Sequence, residues 1–217
     1  MSAAKDQDKS RETRTKLLDG ALRTLTEQGI AKASARNIAT AAGVNQALVF
    51  YHFGSVDDLL AAACRHGTEQ RVSRYRERLA EVGSLSELLA FGREMHVEER
   101  EAGHVAVLGQ LLAGAQTQPR LAAATAAGLA LWIEEIEKVL IRVLAASPLG
   151  EFVDAVGLAR AVGASFVGME LYEGVDPAGT ERALDSLEQL SVLVTAVEEL
   201  GPLAQRAVRH GLRRARG

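Results

Sequence analysis

Side chains able to do covalent chemistry are few and scattered in this 217-residue sequence, whereas side chains able to grip a nucleic acid concentrate in one stretch, Ser34–Phe53. The chain has no Gly-rich phosphate loop, no nucleophile elbow and no carboxylate pair in a recognisable setting, so nothing in it points to an enzyme. Cys64 is the single cysteine, which excludes an internal disulfide and a cysteine-based zinc cluster, and it reads as a small buried hydrophobe. His96 and His104 lie eight apart with Gly103 between them, whereas helical metal ligands sit three or four apart, so neither a metal nor a cofactor is expected. Within Ser34–Phe53, by contrast, Arg36, Asn45, Gln46, Tyr51 and His52 are suited to base edges and phosphates.

Two short helices are needed to position them. Ser34 suits an N-cap, and Ile38, Ala39 and Ala42 recur at helical spacing. Gly43 stands where that helix must stop, because a left-handed residue there costs glycine nothing. Val44 plugs the corner and Asn45 caps the next helix. On that helix Val49 and Phe53, four apart, face the core, leaving Gln46, Ala47, Leu48, Phe50, Tyr51 and His52 for groove and phosphates. A second helix set at a fixed angle by a tight turn is the device that enters a DNA major groove. Charge agrees with it: residues 1–53 hold eight Lys/Arg against five Asp/Glu, and the remainder seventeen against twenty-three. Lys5, Lys9, Arg11, Arg14 and Lys16 lead into the stretch as a basic segment suited to phosphate.

Over roughly residues 11–62 the sequence resembles the DNA-binding domain of the tetracycline-repressor (TetR) family of bacterial regulators. The resemblance rests on A-L-x-x-L-x-x-x-G from Ala21, I-A-x-x-A-G-V from Ile38, F-Y-H-F from Phe50 and G-S-x-x-x-L-L from Gly54. It implies an all-α protein, with an N-terminal three-helix helix-turn-helix domain followed by a larger helical ligand-binding and dimerisation domain. Residues 1–10 are then a flexible basic arm, 11–54 the DNA-binding domain and 55–217 the effector and dimer domain, linked by a fourth helix over 55–81. The implied function is a sequence-specific regulator. It acts as a homodimeric repressor on a palindromic double-stranded operator and is released when a small ligand tilts the fourth helix. The alternatives are a ligand-responsive activator and a helical protein-interaction module. Three positions depart from the family pattern: Leu48 and Phe50 lack its hydroxyls, and Val56 replaces its phosphate-gripping lysine.

Beyond Phe53 the sequence carries helix signals and no strand signals. Pro119, Pro148, Pro177 and Pro202 mark helix boundaries, and Ser84-Leu85-Ser86-Glu87 reads as a capping box. Small residues along the 155–167 stretch and the stripe Leu184, Leu187, Ser191 and Val194 suggest a four-helix dimer seam. Its candidate residues are Ala159, Gly163, Phe166, Leu184, Leu187, Ser191 and Val194. Candidate effector-binding residues are Met95, His96, His104, Leu108, Leu111, Trp132, Ile136, Phe166, Met169 and Glu170, with Glu170 as the buried charge facing a neutral or weakly cationic apolar ligand. The run Glu98-Glu99-Arg100-Glu101 reads as a solvated face, and the Arg-rich tail after Gly201 as a basic helix. No uncharged apolar run of about 18 residues occurs and the N-terminus is charged, so a cytoplasmic location without a membrane span is expected.

Overall fold

The computed structural model describes residues 2–147 and 150–216; Pro148 lies outside them, as do the side chains of Val197, Arg209, Leu212 and Arg216. The described residues contain no strand. Their α-helices are α1 (Ser2–Gln28), α2 (Ala35–Ala42), α3 (Ala47–Phe53), α4 (Val56–Glu81), α5 (Leu85–Glu101), α6 (His104–Ala115), α7 (Pro119–Ala146), α8 (Ala155–Glu173), α9 (Pro177–Glu198) and α10 (Pro202–Arg216). Proline opens α7, α9 and α10, at the first helical position where its missing N–H costs nothing. Ser84 opens α5 by accepting the Glu87 N–H at 3.1 Å, and Glu87 reaches back to the Gly83 N–H at 2.7 Å. Among the described residues no single helix is long and apolar enough to cross a membrane.

Residues 2–10, expected as part of a flexible arm, lie in α1, which starts at Ser2. No proline or glycine interrupts the chain before Gly20, and the Lys16–Glu12 ion pair at 2.6 Å, one turn apart, supports the helical run. The cations of this segment therefore ride on a helix.

Two compact units share the chain: residues up to Ser73 with Arg100–Leu131, and Arg74–Glu99 with the residues from Trp132 onward. The division falls inside α4 and α7 and near the end of α5, rather than after residue 54. The first unit extends past residue 54 because Leu59, Leu60, Ala63, Val107, Leu111 and Leu121 share one core with Leu17, Leu25, Ile38 and Val49. In the same unit the Ile30 N–H donates to Gln110 Oε1 at 2.6 Å. The second unit has its own core, including Tyr75, Leu79, Phe91, Val139, Leu140 and Ala159.

Within the first unit α1 and α2 approach closely where Gly20 faces Ala42. A Cβ on Gly20 would lie 2.8 Å from the Ala42 Cβ and 2.9 Å from its backbone nitrogen. Such an intrusion moves backbone, and overpacking of this kind costs about 1–3 kcal/mol. Gly20→Ala is expected to lower the melting temperature by several degrees, followed by circular dichroism. An unchanged melting temperature would show that α2 is free to slide on α1.

Candidate nucleic-acid interface

The turn between α2 and α3 is built by backbone chemistry that the sequence supplies residue by residue. The Ser34 hydroxyl accepts the Asn37 N–H at 3.2 Å and so caps α2. Gly43 closes it in the left-handed conformation, φ +66°, with its N–H directed to the last turn. Asn45 Oδ1 then accepts the Ala47 N–H at 2.8 Å, holding the start of α3. At the far end Ser55 caps α4: its oxygen accepts the Asp58 N–H at 3.0 Å and its hydroxyl donates to Asp58 Oδ2 at 2.6 Å. Asp58 also pairs with Arg120 at 3.1 Å.

On α3, Val49 is fully buried and Phe53 packs half-buried against the same core. The opposite face is open: Phe50 is 49% and Tyr51 79% exposed, and Asn45, Gln46 and Ala47 are exposed with Arg36 of α2. Two of the positions singled out from the sequence lie differently. Leu48 is half-buried against the first core, and so is Val56. Leu48 turns inward because it adjoins buried Val49 on a helix of only seven residues. His52 is half-buried, its ring edge-on to Tyr51 at 4.9 Å between centroids. No Asp or Glu occurs between Glu27 and Asp57, so no carboxylate of that stretch opposes a phosphate.

Arg14 was grouped with the basic arm, yet it sits against the recognition helix. Its guanidinium lies 4.5 Å from the centroid of the Phe53 ring and donates to the His52 carbonyl oxygen at 3.4 Å. A cation there meets both the ring face and the negative end of the α3 dipole. Arg23 does the same for α2, donating to the Ala41 carbonyl at 3.1 Å. Sequence spacing gives no sign of either contact, because each partner lies 18 or more residues away. Burial pushes the Cys64 thiol up to about 11, which makes it a poor nucleophile.

The candidate effector residues divide between the units: His104, Leu108 and Leu111 belong to the first, with Leu111 buried in its core. Met95, His96, Trp132, Ile136, Phe166, Met169 and Glu170 belong to the second. There His96 is buried with Nδ1 3.5 Å from Glu170 Oε1, and its ring is edge-on to Phe166 at 6.0 Å. His96 Nε2 lies 2.9 Å from Glu173 Oε2 but is not aligned for a hydrogen bond. The acidic run on α5 is only partly solvated: Glu99 is buried, and the Tyr75 hydroxyl is placed to donate to Glu98 at 2.8 Å or Glu99 at 3.1 Å. That hydroxyl, with Arg78, holds the Glu98 carboxyl below its ordinary range.

The expected dimer stripe is rotated. Ala159 and Ser191 are buried within one subunit, Gly163 is 3.2 Å from Ile133 measured at its would-be Cβ, and Phe166 packs on the second core. Leu184, Leu187 and Val194 are half-buried. The open apolar stripes are the neighbouring ones: Ala161, Ala164, Gly168 and Leu171 on α8, and Leu190 and Leu193, 57% and 63% exposed, on α9. The phase is set by Ser191, whose hydroxyl bonds Ser86 at 3.0 Å, and by Arg93, which binds Glu181, Asp185 and Glu188.

A capped helix–glycine–helix whose second helix stands open among cations, with its back locked to a core, defines a helix-turn-helix DNA-binding regulator. Residues 17–63 match the family described as bacterial regulatory proteins, tetR family. Over 77 residues, 36% of this chain, it is 35% identical to the HTH-type transcriptional repressor Rv1474c of Mycobacterium tuberculosis. It is 39% identical to the transcriptional regulator AcrR of Shigella flexneri over 59 residues, 27% of this chain. These matches span only 41% and 27% of the relatives' own lengths. Among solved structures, the multidrug binding protein EbrR complexed with proflavin is 28% identical with a TM-score of 0.60, covering 82% of this chain and 99% of that one. Salmonella enterica GusR, 21% identical with a TM-score of 0.65 over 84% of this chain and 94% of its own, shares the fold. Residues 17–63 carry the DNA-binding domain of the tetR family of bacterial regulatory proteins.

Arg14 should act on DNA through α3. Together the ring contact and the helix-end contact are worth about 1–2 kcal/mol. Arg14→Ala is therefore expected to weaken operator binding roughly ten-fold with an unchanged salt slope. A direct phosphate contact would instead flatten the slope by about 0.9. Fluorescence anisotropy over a salt series separates the two, and a flattened slope would refute the positioning role.

Proposed function

We propose that the protein is a homodimeric repressor that holds a palindromic operator and leaves it when a small apolar cation binds. The observation that carries the DNA half is the open face of α3, in a stretch free of carboxylates from residue 28 to 56. Dimerisation is supported by the open stripes on α8 and α9, which pack side by side and expose Leu171, Leu190 and Leu193. Two copies joined there would pair four helices and supply the two recognition helices that a palindrome requires.

For the ligand, the supporting observation is the second unit's interior. Glu170 and Glu99 are buried there, in the unit whose core includes Met95 with Phe166 and Trp132 packed on it. Carboxylates kept in an apolar interior favour a positive guest, and aromatic faces add to the attraction. EbrR, similar to this chain over most of its length, is described as a multidrug binding protein and was solved with proflavin bound. Occupancy would reach the DNA side through α4, which both units share.

The test is a gel shift with the DNA upstream of the chain's own gene, repeated with proflavin. A shift at moderate salt that proflavin reverses supports the reading; a shift that persists at saturating proflavin, with binding seen by quenching of Trp132, would refute ligand release. Leu190→Glu with Leu193→Glu is expected to give a monomer by sedimentation and at least a hundred-fold weaker operator binding, since two linked half-sites gain on the order of 10²–10⁴ over one. A dimeric double variant would move the interface elsewhere.

A further inference from the structure

The open face of α3 has an unusual chemistry for a DNA reader. Ala47, Phe50 and Tyr51 stand three and four apart and share one side, while Val49 faces the core. Along the whole helix, ALVFYHF, there is no Arg, Lys, Asn, Asp or Glu. The strongest guanine contact, a bidentate Arg or Lys on O6 and N7, therefore cannot come from α3. Cytosine loses its carboxylate acceptor in the same way. What α3 presents is a methyl group, a phenyl ring half exposed and a phenol 79% exposed. Just before it stands the exposed amide of Gln46.

An apolar surface in the major groove has one complementary feature among the four base pairs, the C5-methyl group of thymine, and a glutamine amide matches adenine N6 and N7. Both belong to A·T pairs. Charge around the face fits the same occupant: Arg36 is exposed on α2, Arg14 lies at the end of α3, and no acid lies on either helix. A patch meant for a protein partner's apolar core would not need this ring of cations.

We propose that α3 reads A·T pairs by packing Ala47, Phe50 and Tyr51 against thymine methyl groups, with Gln46 on adenine. This rests on the operator-binding reading and goes further by stating what the half-site contains. Phosphate contact then serves position and affinity, and the methyl groups serve specificity.

The experiment begins with selection of bound sequences from a random double-stranded pool by the full-length protein. Enriched half-sites are then remade with deoxyuridine for thymidine, which removes only the methyl groups. Affinity is expected to fall about four-fold for each contacted methyl, the value of one buried methylene-sized group. Phe50→Ala, a change at an exposed position, should bind the thymidine site more weakly and respond less to deoxyuridine. Enriched sites that are G·C under α3, or a deoxyuridine site bound as tightly as the original, would overturn the proposal while leaving operator binding intact. A pool with no enrichment would overturn operator binding itself.

Discussion

The close approach of α1 and α2 at Gly20 and Ala42 is the constraint on which the DNA side of this molecule depends. With only the Ala42 methyl group facing Gly20, the two backbones come close there, and a larger residue at position 20 would have to push them apart. Gly43 then turns the chain at positive φ, and the Asn45 carbonyl oxygen fixes where α3 begins. Val49 locks the back of α3 into the core, and Arg14 ties down its end from α1. Each contact is modest alone. Together they favour an arrangement in which Phe50 and Tyr51 stand outward.

The second unit is tied together by charge-assisted contacts between helices rather than by a turn. Arg93 draws three carboxylates of α9 onto α5, and Arg142 donates to the Leu79 and Val82 carbonyls at 2.9 and 2.8 Å, closing the end of α4. Tyr75 is buried between Phe91 and Trp132 while its hydroxyl serves Glu98 and Glu99; burial and those carboxylates push its own ionisation upward, so it stays a donor. Ion pairs open to solvent fix geometry more than they add stability, because water screens much of their attraction. A unit assembled this way has its interior polarity set before any ligand arrives.

The sequence carried the DNA-binding side well because its signals are local. Ser34, Gly43, Asn45 and Ser55 act on backbone within four residues of themselves, and that chemistry can be read without a fold. The dimer stripe was harder, since α8 and α9 are apolar on more than one side and a helical step of one residue turns the face by about 100°. Which side faces inward depends on contacts such as those of Ser191 and Arg93, whose partners lie roughly 90 to 105 residues away. Tyr75 and its partners Glu98 and Glu99 lie 23 and 24 residues apart on different helices, so local spacing gives no sign of that contact. Charge alone does not tell an arm from a helix over residues 2–10, whereas their helix propensity does.

Hydroxyl-radical footprinting of a selected operator, with the full-length protein, tests the central claim most directly. Two protected patches related by a two-fold axis, with centres about 10 base pairs or a multiple apart, are predicted for a pair of α3 helices in successive major grooves. A single patch, or uniform protection without sequence boundaries, would contradict it.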